Sequence, residues 1–361
     1  MPKKNPHQKT EGMSLPITGI DALLLDSQTL SQPKNVALLT NQASVTAKGI
    51  STAYALGDIL EGNLLCLFSP EHGWSAQGED GKDVKNERDS QLEKNVYSLY
   101  GPLFEKNLSR FEKVETLIID MQDVGVRCYT FAATCAKVLE HLSTLQNPPR
   151  VIICDRPNPL GKTIKGPPFE PTLQSLVQYL DVPFQHGQSI GTLLSRHNTS
   201  LTSPLSINVI PYEDEFRPCE HLWIPPSPAL LNWTSVLLYP GLVLLEGVNI
   251  SLGRGTEYPF TSIGAPHLNT AKLLNALGAI QGLSATSLTF TPQSSVLQGE
   301  LCQGIRFQIT DLESLDSYDL GLNLIKVLID IYPNFQWIQN KEKGTYWIDA
   351  LLGSSDFRLS L

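Results

Sequence analysis

A glutamate that directly follows a buried strand and is fixed by a proline is well placed to hand over a proton. Glu71 is such a residue. It stands in Ser69-Pro70-Glu71-His72-Gly73-Trp74, after the apolar run Leu64 to Phe68. Partial burial beside an aromatic ring, here Trp74, raises a carboxyl pKa toward neutrality, where one group can serve as general acid and general base. The same glutamate could instead cap a helix or close a loop salt bridge. A second segment, Asp120 to Thr130, brings Asp120, Gln122, Asp123, Arg127 and Tyr129 close together. Its aspartates could hold a metal, orient Arg127, or cap the helix that follows. Tyr129 opens that helix, either as a functional phenol or as a packed aromatic. In Asp155 to Gly161, Asp155 and Asn158 are candidates to hydrogen-bond sugar hydroxyls, or to hold their own turn by Asx chemistry. In Glu246 to Thr256, the glycines on either side of Arg254 let the backbone approach a ligand closely.

Several chemistries lack a signature. Gly253-Arg254-Gly255 is not a dinucleotide-binding GxGxxG turn, and no Walker P-loop occurs. No GxSxG elbow is present, which argues against a serine hydrolase. The six cysteines (Cys66, Cys128, Cys135, Cys154, Cys219 and Cys302) form no CxxC pair and no zinc spacing with histidine. They read as reduced core residues, with Cys128 the one inside a functional-looking loop. A metal held by Asp120, Asp123, Asp155 and His72 is the remaining metal option; the favoured reading has no metal and no cofactor.

The elements that must position these groups are short, continuous apolar runs that each end in one of the polar clusters. Val36 to Leu39 ends at Asn41, Leu64 to Phe68 at Glu71, Thr116 to Ile119 at Asp120, and Val151 to Cys154 at Asp155. Runs without alternation suit strands buried on both faces, as in parallel sheets. Helices are expected between them, at about residues 50–60 and at Thr130 to Leu145, where Phe131, Cys135, Val138, Leu139 and Leu142 share one face. Ser189 is a candidate cap for a helix from Ile190 to about His197. Leu205 to Tyr212 and Leu242 to Leu245 read as further strands, and Pro225-Pro226-Ser227-Pro228 as a stiff turn. After Pro266 come a helix, strands at 287–290 and 305–309, and a helix through Leu320 and Ile331. The expected architecture is α/β: a Rossmann-like, mostly parallel open sheet over residues 14–265, and a smaller α+β domain over 266–361 completing a cleft. Ligands of such sheets bind beyond the carboxyl ends of the strands, where the polar clusters fall.

A net charge of −9 argues against nucleic acid or an anionic membrane surface as partner. Residues 1–13 are polar and basic without the apolar stretch of a secretory signal, and no run of about 18 apolar residues exists. The expectation is a cytoplasmic protein acting on a small molecule. The sequence carries no mark of an oligomeric state.

Taken together, the motifs resemble the NamZ-type exo-β-N-acetylmuramidase family over nearly the whole chain, from about Gly19 to Leu361. They are Leu39 to Asn41, Pro70 to Gly73, Asp120 to Arg127 with Tyr129, Asp155 to Pro159 and His186-Gly187. They continue with Pro226 to Pro228, Tyr239 to Gly241, Glu246-Gly247 with Asn249, Gly253 to Thr256 and Gly264 to Pro266. Departures fall at Gln188-Ser189, at Ala229 to Leu231 and at Val248, and leave Glu71 intact. The resemblance implies removal of terminal β-linked N-acetylmuramic acid from the non-reducing end of peptidoglycan fragments. It places the catalytic carboxyl on Glu71 and implicates a tyrosine, either Tyr129 or Tyr100. Asn41, His72, Asp123, Arg127, Asp155, Arg156, Asn158, Glu246, Asn249 and Arg254 are the expected substrate contacts. A lactyl carboxylate on the sugar calls for an arginine fork, from Arg127, Arg156 or Arg254. A non-catalytic sugar-binding protein, and a metal-dependent hydrolase using the strand-end aspartates, are the competing readings.

Overall fold

The computed structural model describes residues 18–30, 34–213, 223–340 and 344–361. The expectations for residues 1–13, for the start of the first domain at residue 14 and for Cys219 lie outside the described residues. The apolar runs join two polar strands in a seven-stranded sheet of β1 (Val36–Leu39), β2 (Leu64–Ser69), the polar β3 (Glu87–Asp89) and β4 (Lys94–Ser98), β5 (Thr116–Asp120), β6 (Arg150–Cys154) and β7 (Ile207–Ile210), in the order β3-β4-β2-β1-β5-β6-β7. All pairings are parallel except β3 with β4. Strand growth reverses direction between β1 and β5, the topological switch point of a doubly wound sheet.

Both faces of the sheet's centre are covered, which is why β1, β5 and β6 do not alternate in polarity. Leu117, Ile119, Val151 and Ile153 pack into one apolar cluster with Phe131, Cys135, Leu139 and Ile190. The intervening Ile118 and Ile152 point into a second cluster with Ile20, Leu23, Ala53 and Leu56. The covering helices are Thr130–Ser143 and Ile190–Thr199 on the first face, and Gly19–Leu25 and Thr52–Leu60 on the second. Ser189 caps its helix as expected, its hydroxyl accepting the Thr192 N–H at 3.3 Å. Cys66, Cys128, Cys135, Cys154 and Cys302 are free and buried.

The smaller part carries an antiparallel sheet of β8 (Ser262–Ala265), β9 (Leu283–Phe290) and β10 (Cys302–Ile309), in the order β8-β10-β9, with helices Thr270–Leu277 and Ser317–Ile331. Because β8 pairs with β10, this sheet begins before residue 266. Leu242 to Leu245, expected as a strand, is the end of helix Trp233–Leu242 followed by the 3-10 turn Val243–Gly247. A capping box between Asn232 and Ser235 starts that helix, and its packing against Ser317–Ile331 holds it. A Cβ on Gly241 would strike the Ser317 carbonyl, so the two backbones meet where only glycine fits. Four apolar residues in a row fit a buried helix as well as a buried strand. No helix among the described residues is long and apolar enough to cross a membrane.

Candidate active site

Ladder register brings the first two functional groups together. Ser69 of β2 pairs with Ser98 of β4, so Glu71 and Tyr100 each stand two residues beyond the same rung. The Tyr100 phenol lies within hydrogen-bonding reach of the Glu71 carboxylate. Glu71 itself is buried, with Oε1 accepting the Gly81 N–H at 2.9 Å and Oε2 accepting the Thr130 hydroxyl at 2.7 Å. Thr130 is the first residue of helix Thr130–Ser143, so the Glu71 carboxyl is tied to the start of that helix.

Tight turns fold the chain back over this acid. His72 has a left-handed φ of 69°, unusual for a residue with a side chain, and Gly73 follows at 76°. The His72 Nδ1–H donates to the Gly78 carbonyl at 2.8 Å, which leaves Nε2 facing Asp80 Oδ1 at 3.8 Å. A Cβ on Gly78 would press on the His72 backbone at 3.0 Å. The loop then delivers Asp80 to Arg254, whose Nη1 donates to Asp80 and whose Nη2 donates to Glu246. Arg254 is buried with its guanidinium over the Phe260 ring, 4.8 Å from the centroid. The glycines beside it serve the protein's own packing. A Cβ on Gly253 would meet Ser262 and Tyr258, and one on Gly255 would meet Gln293.

These groups line a cavity of about 240 Å³. Glu71, His72, Asp80, Tyr100 and Thr130 form its sheet side, Glu246, Arg254, Trp347 and Leu351 its C-terminal side, with Tyr129, Ser227 and Tyr239 between. Tyr129 is packed edge-on to Tyr239 and against Phe131; its hydroxyl faces Ser227 but forms no regular hydrogen bond among the described residues. Burial first, then the charge of Glu71, pushes the Tyr100 phenol above its ordinary pKa. Burial does the same to Tyr129 and Tyr239. Burial also raises the Glu246 carboxyl, opposed by Arg254. Burial opposes the charge on Arg254, but Glu246 and Asp80 outweigh it and hold the guanidinium protonated. The Cys128 thiol, pushed up to about 12 by burial, stays protonated and unreactive.

Of the residues singled out in the sequence, Glu71, His72, Tyr100, Tyr129, Glu246 and Arg254 converge on this cavity. The others hold the frame. Arg156 makes a two-pronged pair with Asp120, at 2.5 and 2.8 Å, and donates to the Val45 carbonyl. Arg127 donates to the carbonyls of Pro167, Val182 and Leu352. Burial lowers its pKa to about 10. Asp155 accepts from Ser189 and the Gly191 N–H. Asp123 accepts from the Gly125 N–H and from His186 Nε2, whose Nδ1 accepts the Gln188 N–H. Asn158 ties Leu160 to Gln188, and Asn41 ties Ala43 to the Pro226 carbonyl, fixing the wall that carries Ser227. Asn249 joins the backbone at Asn334 and Gln336. Each strand-end aspartate is thus spent on a different partner. Trp74, the expected neighbour of Glu71, instead contacts Tyr54 and Asp89.

Sequence reasoning missed Asp80 and Trp347. The run Gly78-Glu79-Asp80-Gly81, close behind the Glu71 motif, was the available signal for the first.

The family description Exo-beta-N-acetylmuramidase NamZ, N-terminal, matches residues 36–234, and its C-terminal counterpart matches residues 237–361. Peptidoglycan beta-N-acetylmuramidase NamZ of Bacillus subtilis (strain 168) is 34% identical over 344 residues, spanning 92% of this chain and 83% of the relative. Two crystal structures of DUF1343 family proteins from Bacteroides fragilis NCTC 9343 are similar throughout. One has a TM-score of 0.82 at 27% identity, covering 96% of this chain and 91% of its own. The other has a TM-score of 0.68 at 26% identity, covering 95% and 89%. With both halves matched in order and a curated relative aligned along most of its length, the chain belongs to the NamZ family of exo-β-N-acetylmuramidases.

Proposed function

We propose that this chain is a glycoside hydrolase that removes terminal β-linked N-acetylmuramic acid from the non-reducing end of peptidoglycan fragments, with Glu71 as its acid/base group. The observation that carries this is the Glu71 carboxyl, oriented by Gly81 and Thr130 and lining a cavity beside Tyr100. At about 240 Å³ the cavity is smaller than the ~300–1,000 Å³ pockets that enclose drug-sized ligands, which suits one terminal sugar better than a run of them.

Glycoside cleavage needs a proton on the leaving oxygen and support for an oxocarbenium-like centre. Glu71 supplies the proton. Tyr100, kept as a neutral phenol by burial and by the adjacent carboxylate, donates toward Glu71 and positions it. The other face of the sugar is served by its own 2-acetamido group or by a phenol, the two known departures from a second carboxylate. Tyr129 is the cavity's other candidate phenol. The test is an assay on a panel of chromogenic β-hexosaminides. Release from the β-muramyl substrate, lost in Glu71→Gln, is the expected result. Saturable binding without turnover would sink the reading.

A further inference from the structure

We propose that Arg254 receives the lactyl carboxylate of the terminal N-acetylmuramic acid, and that Asp80 occupies its place in the free protein and leaves when the sugar binds. The proposal rests on the muramidase reading above and names the group that recognises its substrate.

Three arginines were open from the sequence, and only one is available. Arg127 is consumed by three backbone carbonyls, and Arg156 by Asp120 and Val45. Among the described residues, Arg254 is the only arginine or lysine lining the cavity. Its two partners differ in kind. Glu246 sits in the 3-10 turn Val243–Gly247, packed among buried Val243, Leu244 and Leu245, and takes Nη2. Asp80 comes from an irregular loop, is 41% exposed, and takes Nη1. Among the described residues, its other close side-chain neighbour is His72 Nε2, at 3.8 Å. One partner is therefore built in and the other is tethered.

Charge makes the exchange necessary. The cavity already holds three carboxyl groups, on Glu71, Asp80 and Glu246, against one guanidinium. A fourth carboxylate added beside them would meet like charge in a poorly solvated site. A substrate carboxylate that replaces Asp80 on Nη1 leaves the local charge unchanged, and the displaced aspartate moves into water. A sugar lacking the lactyl group has nothing to place on Nη1, so it leaves the Asp80–Arg254 pair intact and gains nothing from the fork.

The experiment compares free N-acetylmuramic acid and N-acetylglucosamine as inhibitors of β-muramyl substrate turnover, in the wild type, Asp80→Ala and Arg254→Lys. The two sugars differ only by the lactyl ether. Removing the resident competitor is expected to tighten N-acetylmuramic acid by about tenfold, and loss of the fork to weaken it by about 10- to 100-fold, with N-acetylglucosamine changed in neither. Unchanged or weaker inhibition by N-acetylmuramic acid in Asp80→Ala overturns the exchange, as does equal tightening of both sugars. If no form turns over the β-muramyl substrate, the hydrolase reading falls first and takes this one with it.

Discussion

Asp120, at the end of β5, and Glu71, just beyond β2, are acids that strands on either side of β1 deliver to the same edge of the sheet. Their surroundings differ. Asp120 is fully buried at the switch point between β1 and β5, where doubly wound folds place their ligands. Both of its oxygens are taken by Arg156, and one also by the Thr52 hydroxyl at 2.5 Å. Glu71 lies one strand further out, held by neutral donors (the Gly81 N–H, the Thr130 hydroxyl and the Tyr100 phenol), and lines a cavity. The crevice that topology favours has been filled with an ion pair, and the open site has moved toward β4. A strand-end carboxylate is thus a fold element or a reagent according to whether a buried guanidinium neutralises it or neutral donors hold it at a cavity.

Exchanging each acid for its amide breaks the comparison most directly. Glu71→Gln should lower kcat by about 10²- to 10⁴-fold, the range of general acid–base catalysis, while the chemical denaturation midpoint stays in place. Asp120→Asn should do the reverse. It leaves the Arg156 guanidinium buried without its counter-charge, and should cost about 3–5 kcal/mol of folding stability by denaturant titration. If the amide at position 71 unfolds the protein and the one at 120 spares it, the distinction between the two acids is lost.

Smaller effects sharpen the Glu71 side. Tyr100→Phe should reduce kcat/KM by about tenfold or somewhat more, the worth of a hydrogen bond to a charged group. Below it in size is the alkaline response. Tyr129 and Tyr239 have pKa values raised by burial, so above the ordinary value of 10.0 the unfolded chain releases protons that the folded one keeps. Stability should then be level below pH 10 and fall above it, and Tyr129→Phe should shallow that fall. A fall of equal slope in the variant would place the responsible groups elsewhere.

The parallel strands were legible because burial on both faces leaves an unbroken apolar run, as in Thr116–Asp120 and Arg150–Cys154. The same texture misled at Leu242 to Leu245, where helix packing around Gly241 decides the outcome. Strand β4 was not foreseen. Its burial alternates, with Val96 and Ser98 inward and Asn95 outward, and without it the pairing of Tyr100 with Glu71 could not be read. The motifs also overstated the site. Asp155, Asn158, Arg127 and Arg156 are polar clusters of the right kind, but hydrogen bonds to backbone and neighbours absorb them. Asp80 was hidden for a different reason, since its partner Arg254 lies 174 positions away along the chain.

The rung shared by Ser69 and Ser98 has a consequence for how tolerant this centre is of change. Spacing between phenol and carboxyl starts from a hydrogen-bonded ladder, so chain beyond Gly81, the last loop residue to grip Glu71, can change composition without moving the rung. A single inserted residue between position 98 and the phenol would be another matter: Tyr100 stands in a bend just past the strand, so the extra residue carries the ring out of step with the carboxyl, silencing the partnership while leaving every strand in place.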